Sequence, residues 1–309
     1  MTIREATESD IPSIVDLLKS SLGESLIPKS EKLWKWKHLS NPFGQSPVLV
    51  AESDGRLIGV RAFLRWEYVW KGDIIPAYRA VDTAIHPDFQ GKGFFKKLTL
   101  ALVEKVSHES KSLIFNTPNQ QSAPGYLKMG WQEWGKLPLC LGVNLRPSIP
   151  SPEKVSWEGI EGLVKELENS PISQRSQTST NLKSGYLNWR YRDCPIVSYQ
   201  TVTDRETFLV IYREKSSRVG KEFRVCDLLQ TKNSGPKEVE LMNKMVRDAV
   251  RSSNCRLVTY SGLQAEKHLN FIRMARLPLG PLVTLRQVHP DLNPLNLDWR
   301  WSLGDLEVF

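Results

Sequence analysis

The sequence predicts a mixed α/β (α+β) chain made of two copies of one fold, each a central, mostly antiparallel sheet flanked by helices. Three observations carry this expectation. Hydrophobic periodicity in the first half alternates between the spacing of strands and the spacing of helices. A proline-rich stretch, Leu145-Arg146-Pro147-Ser148-Ile149-Pro150-Ser151-Pro152, rules out regular helix or central strand near the midpoint. Short segments on either side of that stretch match one another in the same order.

The matches can be stated residue by residue. Trp36-Lys37-His38 with Pro42 pairs with Trp189-Arg190-Tyr191 with Pro195, both at an offset of 153. Tyr78-Arg79-Ala80-Val81-Asp82 pairs with Phe223-Arg224-Val225-Cys226-Asp227, and Tyr126-Leu127-Lys128-Met129 with Phe271-Ile272-Arg273-Met274, both at 145. The expected organisation is a first domain over residues 1–146, a second over 153–288 and a tail over 289–309.

Within the first domain, Ile3 opens a short strand. Ser9 or Asp10 caps a helix whose residues Ile11, Ile14, Val15 and Leu18 fall on one face, with Pro12 in its first turn, where proline is tolerated. Val48 to Ala51, Leu57 to Phe63 and Tyr78 to Ile85 read as strands, and Asp54-Gly55 supplies a tight turn between the first two. A helix from Phe94 to Val106 carries Phe95, Leu98, Leu102 and Val106 on one face. Leu113 to Asn116 is a further strand and Ser122 to Met129 a further short helix. The second domain opens with a helix from Ser156 to Leu167 and a polar loop from Asn169 to Ser184.

Composition bounds the function. The 309 residues are 40% hydrophobic and 25% charged, which fits a globular protein of about two domains and excludes a disordered or collagenous chain. No apolar stretch approaches the roughly 20 residues of a membrane span, and the polar N-terminus does not read as a signal peptide. The expected compartment is the cytoplasm. Cys140, Cys194, Cys226 and Cys255 form no Cys-x-x-Cys pair and read as reduced core thiols. The histidines form no spaced cluster, so no metal is expected. A formal net charge of +8 favours anionic ligands, but no RNA-binding aromatic signature or arginine-rich run accompanies it, so nucleic acid is not the expected partner.

The segment His86-Pro87-Asp88-Phe89-Gln90-Gly91-Lys92-Gly93-Phe94-Phe95-Lys96-Lys97 carries the chemistry. A strand runs into a glycine-rich loop that opens a helix, so backbone amides converge on one spot that suits phosphate. Lys92, Lys96 and Lys97 crowd the positive end of the helix dipole, a conflict that a polyanionic ligand would resolve. No Gly-Lys-Ser/Thr follows, which excludes a Walker A loop, and Lys96 breaks the Gly-x-Gly-x-x-Gly spacing of a Rossmann loop.

Gln90-x-x-Gly93 within this loop resembles the acyl-CoA pyrophosphate motif of the GNAT N-acyltransferases, Arg/Gln-x-x-Gly-x-Gly/Ala. Phe95 departs from it at the last position, and its side chain must turn into the core while its amide faces the ligand. Asn119-x-x-Ser122-x-x-x-Tyr126 is similar to the GNAT segment in which an asparagine contacts the pantetheine arm and a tyrosine approaches the thioester sulfur. The chain is thereby expected to hold tandem GNAT-like domains. The resemblance implies acetyl-CoA as co-substrate, held by Ala84, Ile85, Gln90, Gly91, Lys92, Gly93, Phe94, Phe95, Lys96 and Asn119, and a small-molecule amine or amino sugar as acceptor, attacked directly in a ternary complex. Tyr126 is the implied acid for the departing thiolate.

Asp82 is the candidate base, because it lies on the strand that ends at Ala84 and Ile85; the alternative is a structural carboxylate paired with Arg79, since Arg224 and Asp227 repeat the pair. The second copy lacks the chemistry. Around Thr231 to Lys237 it has one glycine and a proline that removes an amide donor, and Phe271 replaces the tyrosine. A degenerate domain that walls the acceptor cleft, or dimerises, is expected. The tryptophans at 34, 36, 66, 70, 131 and 134 either line a cleft or fill the core. Trp34-x-Trp36-Lys37 and Asn41-Pro42-Phe43-Gly44 loosely resemble bacterial acyltransferases of polysaccharide or envelope synthesis. Two rival readings are a transferase using aminoacyl-tRNA and a non-catalytic acyl-CoA-binding module.

Overall fold

A computed structural model describes residues 2–23, 28–108, 111–145, 148–150, 155–170, 177–217, 220–262, 269–270 and 274–306. Phe271, the expected counterpart of Tyr126, and Pro147 and Pro152 of the linker lie outside the described residues, as does part of the polar loop. The strands in chain order are β1 (Thr2–Glu5), β2 (Val48–Ser53), β3 (Arg56–Trp70), β4 (Asp73–Ile85), β5 (Leu113–Asn116), β6 (Gln132–Lys136), β7 (Leu139–Val143), β8 (Ser179–Thr180), β9 (Gln200–Thr203), β10 (Phe208–Ser217), β11 (Gly220–Gln230), β12 (Leu257–Ser261), β13 (Met274–Leu277) and β14 (Leu282–Gln287). The helices are α1 (Ile11–Leu22), α2 (Glu31–His38), α3 (Phe94–Ser107), α4 (Ala123–Lys128), α5 (Glu161–Glu168), α6 (Pro236–Ser252) and α7 (Leu303–Leu306). Among the described residues no helix is long and apolar enough to cross a membrane.

Local rules account for most of these elements. α1 buries Ile11, Ile14, Val15 and Leu18 on one stripe, and the Ser30 hydroxyl caps α2 by accepting from the Leu33 amide at 3.1 Å. Asp54 and Gly55 both take positive φ in the β2–β3 turn. The β3–β4 hairpin is longer than its apolar pattern predicts. It closes at Lys71 and Gly72, again both at positive φ, and the polar residues Arg65 and Glu67 mask the extension in the sequence. The helix expected over 156–167 begins as a 3-10 turn, Trp157–Ile160, before α5.

Two mixed sheets share one plan. The first is ordered β1-β2-β3-β4-β5-β14-β6, with β8 added beside β3; the second is ordered β9-β10-β11-β12-β7-β13. Each has one parallel pair, β4 with β5 and β11 with β12, and antiparallel pairs elsewhere. Hairpin β3–β4 therefore answers to β10–β11, β5 to β12, and α3 to α6.

The strand that completes each sheet comes from the other half. β14 lies between β5 and β6, with Thr284 opposite both Asn116 and Glu133, while β7 lies between β12 and β13, with Cys140 opposite both Tyr260 and Arg276. The spans 1–146 and 153–288, read as separate domains, thus exchange strands. Prolines at the two junctions explain why. Pro138 separates β6 from β7, and Pro278 and Pro281 separate β13 from β14, so neither pair can close a tight hairpin and each chain crosses over instead. The crossovers touch, with the Leu137 amide donating to the Pro281 carbonyl at 3.0 Å.

The core between the halves is aromatic. Trp66, Tyr68, Phe115, Tyr186, Trp189, Trp299 and Trp301 belong to one buried cluster. The segment read as a tail, 289–309, contributes to it: Trp299 and Trp301 stack at 4.1 Å, and Leu303 and Leu306 of α7 are buried. Trp299 and Trp301 alternate with Asp298, Arg300 and Ser302 at the strand period, but two positions are too few to establish a strand, so burial of this segment was not visible in the pattern. Trp34, Trp36, Trp66 and Trp131 are buried and Trp70 and Trp134 pack against the core, so these indoles mostly fill it, while Trp36 also lines a cleft with Trp189. The Asn41-Pro42-Phe43-Gly44 motif is likewise structural. The Asn41 side chain donates to the Arg65 carbonyl at 2.8 Å and Phe43 enters the aromatic core.

Candidate active site

The site is built on the last six residues of β4. The parallel ladder to β5 ends at Arg79–Phe115, whereas pairing to β3 continues to Ile85 opposite Gly59. Residues 80–85 therefore leave their β5-facing edge unpaired, and a wedge opens between β4 and β5. Ala84 and Ile85, the residues expected to meet a pantetheine arm, lie on this edge with buried side chains.

A bulge sets the faces of the wedge. Arg61 is opposite Thr83 and Ala62 is opposite Val81, so Asp82 is the extra residue, held at φ 44. The bulge turns Asp82 toward α2, where its Oδ2 accepts from the Lys37 ammonium at 2.8 Å and lies 2.9 Å from His38 Nε2. Burial alone would raise the Asp82 pKa, but Lys37 and His38 hold it well below the usual carboxylate range. Burial lowers the pKa of both Lys37 and His38 in turn. The alternative pairing of Asp82 with Arg79 does not occur. Arg79 instead donates to Thr117 Oγ1 at 2.9 Å and to the Asp305 and Leu306 carbonyls. In the other half Asp227 accepts from the Tyr191 hydroxyl at 2.8 Å, and Arg224 pairs with Glu222. The repeat thus holds for α2-type partners of the aspartate, not for the arginine.

Beyond Ile85 the loop follows the expected pattern. Gly91 and Gly93 take φ of 73 and 81, and open space lies where their side chains would be. Gln90 donates through Nε2 to the Ile85 carbonyl at 3.1 Å, and Lys92 donates to the Asp88 carbonyl at 2.9 Å, so both side chains brace the loop. Gly93 starts α3, whose first-turn amides at Phe94, Phe95 and Lys96 have no acceptor within the helix. Lys96 is exposed at that end. The Phe95 ring packs against the core and meets the Tyr126 ring edge to face at 5.6 Å, which meets the requirement that it turn inward.

Tyr126, on α4, is 5% exposed. Its ring sits between those of Phe95 and Trp131, the latter at 5.1 Å, and its hydroxyl makes no hydrogen bond among the described residues. The Asn119 carboxamide oxygen caps this turn, accepting from the Ser122 amide at 2.8 Å and its hydroxyl at 2.9 Å. The structure therefore brings the loop, Ala84, Ile85, Asn119 and Tyr126 to one end of the wedge. It places Asp82 on the opposite face of the sheet, toward α2.

Two arginines, Arg61 beside Tyr126 and Arg286 beside Trp131, were not singled out by the sequence reading. Arg61 is wholly buried on β3, and its guanidinium lies 5.0, 5.8 and 5.4 Å from the ring centres of Phe63, Phe95 and Tyr126. Its signal was a lone charge inside Val60-Arg61-Ala62-Phe63. Arg286 comes from the exchanged strand β14. It donates to the Met129 carbonyl and lies 5.0 Å from the Trp131 ring.

The second half closes the equivalent place. Gly235 precedes α6, Pro236 removes one amide, and Glu238 Oε2 accepts from the Gly235 amide at 2.8 Å. A carboxylate already occupies the helix end where the first half leaves space, which disfavours a second anion.

Comparison with known proteins gives the following. Residues 2–134 match the model of an acetyltransferase (GNAT) domain. No curated protein matches the chain. Among solved structures, a GCN5-related N-acetyltransferase from Anabaena variabilis is 16% identical at a TM-score of 0.65, covering 93% of this chain and 73% of that one. A conserved protein of unknown function from Enterococcus faecalis, described as a probable N-acyltransferase, is 13% identical at a TM-score of 0.68, covering 93% and 72%. Eis1 from Mycobacterium abscessus is 15% identical at 0.59, covering 93% and 74%. At such identities the likeness is one of fold, and it extends over both halves.

Proposed function

We propose, from the match of residues 2–134 to the model of an acetyltransferase (GNAT) domain, that the chain is an acyl-CoA-dependent N-acyltransferase that moves an acetyl group to the primary amine of a small molecule. The observation that carries the reading is the convergence of an open glycine loop, an unpaired β4 edge and Tyr126 at one end of the wedge.

The residues present fit acetyl-CoA. Gly91 and Gly93 leave room for a pyrophosphate, the α3 amides and Lys96 favour its charge, and the 80–85 edge offers backbone donors to a pantetheine arm. Acetyl-CoA supplies an activated thioester when bound. The Ile85 amide, on the edge of β4 turned away from β3, then polarises the carbonyl that the amine attacks. Tyr126 delivers its hydroxyl proton to the sulfur as the carbon–sulfur bond breaks, the attacking nitrogen gives up its proton to solvent, and solvent returns a proton to Tyr126. Asp82, ionised and shared by Lys37 and His38, acts in this reading as a fixed charge that ties α2 to the bulge, because a working base needs a proton affinity nearer neutral pH.

Titration calorimetry with acetyl-CoA tests the reading, followed by measurement of CoA release across a panel of amines that includes amino sugars. One site per chain and amine-dependent release are expected. Two sites would contradict the closed loop in the second half, and the absence of binding would remove the reading altogether.

A further inference from the structure

Arg61 is a charge without an evident purpose in the fold. It is 0% exposed, and only its Nη1 has a protein acceptor, the Thr83 hydroxyl; Nε and Nη2 have none among the described residues. Its surroundings are the rings of Phe63, Phe95 and Tyr126 rather than a carboxylate. Burying a guanidinium with unpartnered donors is costly, and methionine or leucine would fill the same space without that cost. A guanidinium does one thing there that an alkyl chain cannot. It sets a cation over the electron-rich face of the tyrosine ring, 5.4 Å from its centre, and holds that ring in place. Thr83, on the far side of the β4 bulge, fixes the guanidinium in turn.

Resting on the acyltransferase reading above, we infer that Arg61 is a positioning residue for Tyr126. The bulge presents Thr83, Thr83 orients Arg61, and Arg61 with Phe95 sets the tilt of the Tyr126 ring, so that the hydroxyl faces the place where the thiol departs. Arg61 acts through Tyr126 and touches no reacting atom.

The experiment is a double-mutant cycle on the full chain with Arg61→Met, Tyr126→Phe and the pair, read as kcat at saturating acetyl-CoA, acetyl-CoA affinity and melting temperature. Arg61→Met should lower kcat by on the order of 10-fold to 10²-fold, the scale of a misplaced reacting group, and leave acetyl-CoA affinity within about twofold. It should add no further loss in the Tyr126→Phe background, and Arg61→Lys should recover part of the rate. An equal loss in both backgrounds, or an unchanged kcat, overturns the inference. Thr83→Val removes the one hydrogen bond of the guanidinium and serves if Arg61→Met does not fold; a smaller loss of the same non-additive kind is expected, and additivity again overturns it. A readout independent of turnover separates this inference from the functional reading. With 3-fluorotyrosine incorporated, the resonance assigned to position 126 should shift or broaden in Arg61→Met or Thr83→Val, and an unchanged resonance removes the positioning role even if acetyl-CoA turnover is confirmed. A parent chain that neither binds nor turns over acetyl-CoA sinks the functional reading instead, and the role assigned to Arg61 falls with it.

Discussion

Trp36 and Trp189 donate to each other's backbone. The Trp36 indole donates to the Trp189 carbonyl at 2.8 Å, the Trp189 indole donates to the Trp36 carbonyl at 2.8 Å, and the two rings stack at 5.1 Å. Such reciprocity is what a two-fold relation between copies requires, here within one chain. Trp36→Phe and Trp189→Phe should therefore cost similar amounts, about 1 to 3 kcal/mol each, because each leaves one buried carbonyl unpaired. Urea denaturation measures both. A cost confined to one of them would mean that the pair is symmetric in form only.

The exchanged strands make a second expectation. At the crossover a side chain on Gly280 would collide with the Leu137 carbonyl, which is backbone and cannot move aside cheaply. Gly280→Ala should destabilise the chain by about 1 to 3 kcal/mol, the usual cost of overpacking. A fragment ending at residue 146 would lack β14 and leave β5 and β6 unjoined, so it should not yield a folded acetyl-CoA-binding domain. Circular dichroism of that fragment and thermal unfolding of Gly280→Ala check the two statements.

The contrast between loop and tyrosine separates binding from chemistry. Tyr126→Phe keeps the ring between Phe95 and Trp131 while removing the hydroxyl, so turnover should fall about 10²-fold at saturating acetyl-CoA with little change in affinity. Gly93→Pro should lose affinity first, since φ 81 is closed to proline and an amide donor is removed. An unchanged rate for Tyr126→Phe would return Tyr126 to the role of a core aromatic.

Much of this was legible in the sequence because it is local. The strand at Leu113 to Asn116, the α1 stripe and the Gly91 and Gly93 loop depend on neighbours within a few residues, and each lies where its pattern puts it. The match at 153 also carried real symmetry, as Trp36 and Trp189 show, and the match at 145 between Tyr78 and Phe223 joins corresponding strands, β4 and β11. Strand exchange was not legible. Pairing of Thr284 with Asn116 joins residues far apart in sequence, and no propensity of either residue records it. The partners of Asp82 were missed for a related reason. Arg79 is close in sequence, but the bulge rotates Asp82 away and brings Lys37 and His38 across from α2. Arg61 carried a signal, a charge in an apolar strand, whose meaning depended on which rings surrounded it.

The last expectation concerns pH. Asp305 is buried at the end of the chain's aromatic core, accepting from the Ser302 amide at 2.7 Å and from the Thr180 hydroxyl. Burial, helped by the nearby charge of Asp227, pushes its pKa up from 3.8 to about 7. A carboxyl with a raised folded-state pKa binds more protons folded than unfolded. Its contribution to stability is therefore complete below the unfolded value and is lost as pH rises toward about 7. His38 works in the opposite sense. Burial lowers its pKa, so the unfolded chain takes up its proton first and stability rises as pH climbs to the ordinary histidine value of 6.5. The two slopes overlap, and only a comparison of variants separates them. Asp305→Asn, which stays neutral at every pH, should be more stable relative to the parent at pH 8 than at pH 4, by on the order of a few kcal/mol between the two. Chemical denaturation of both chains at the two pH values measures the difference. A constant offset between variant and parent would show that Asp305 does not change protonation on folding and that its carboxylate is held ionised in the core by Arg79 and its neighbours.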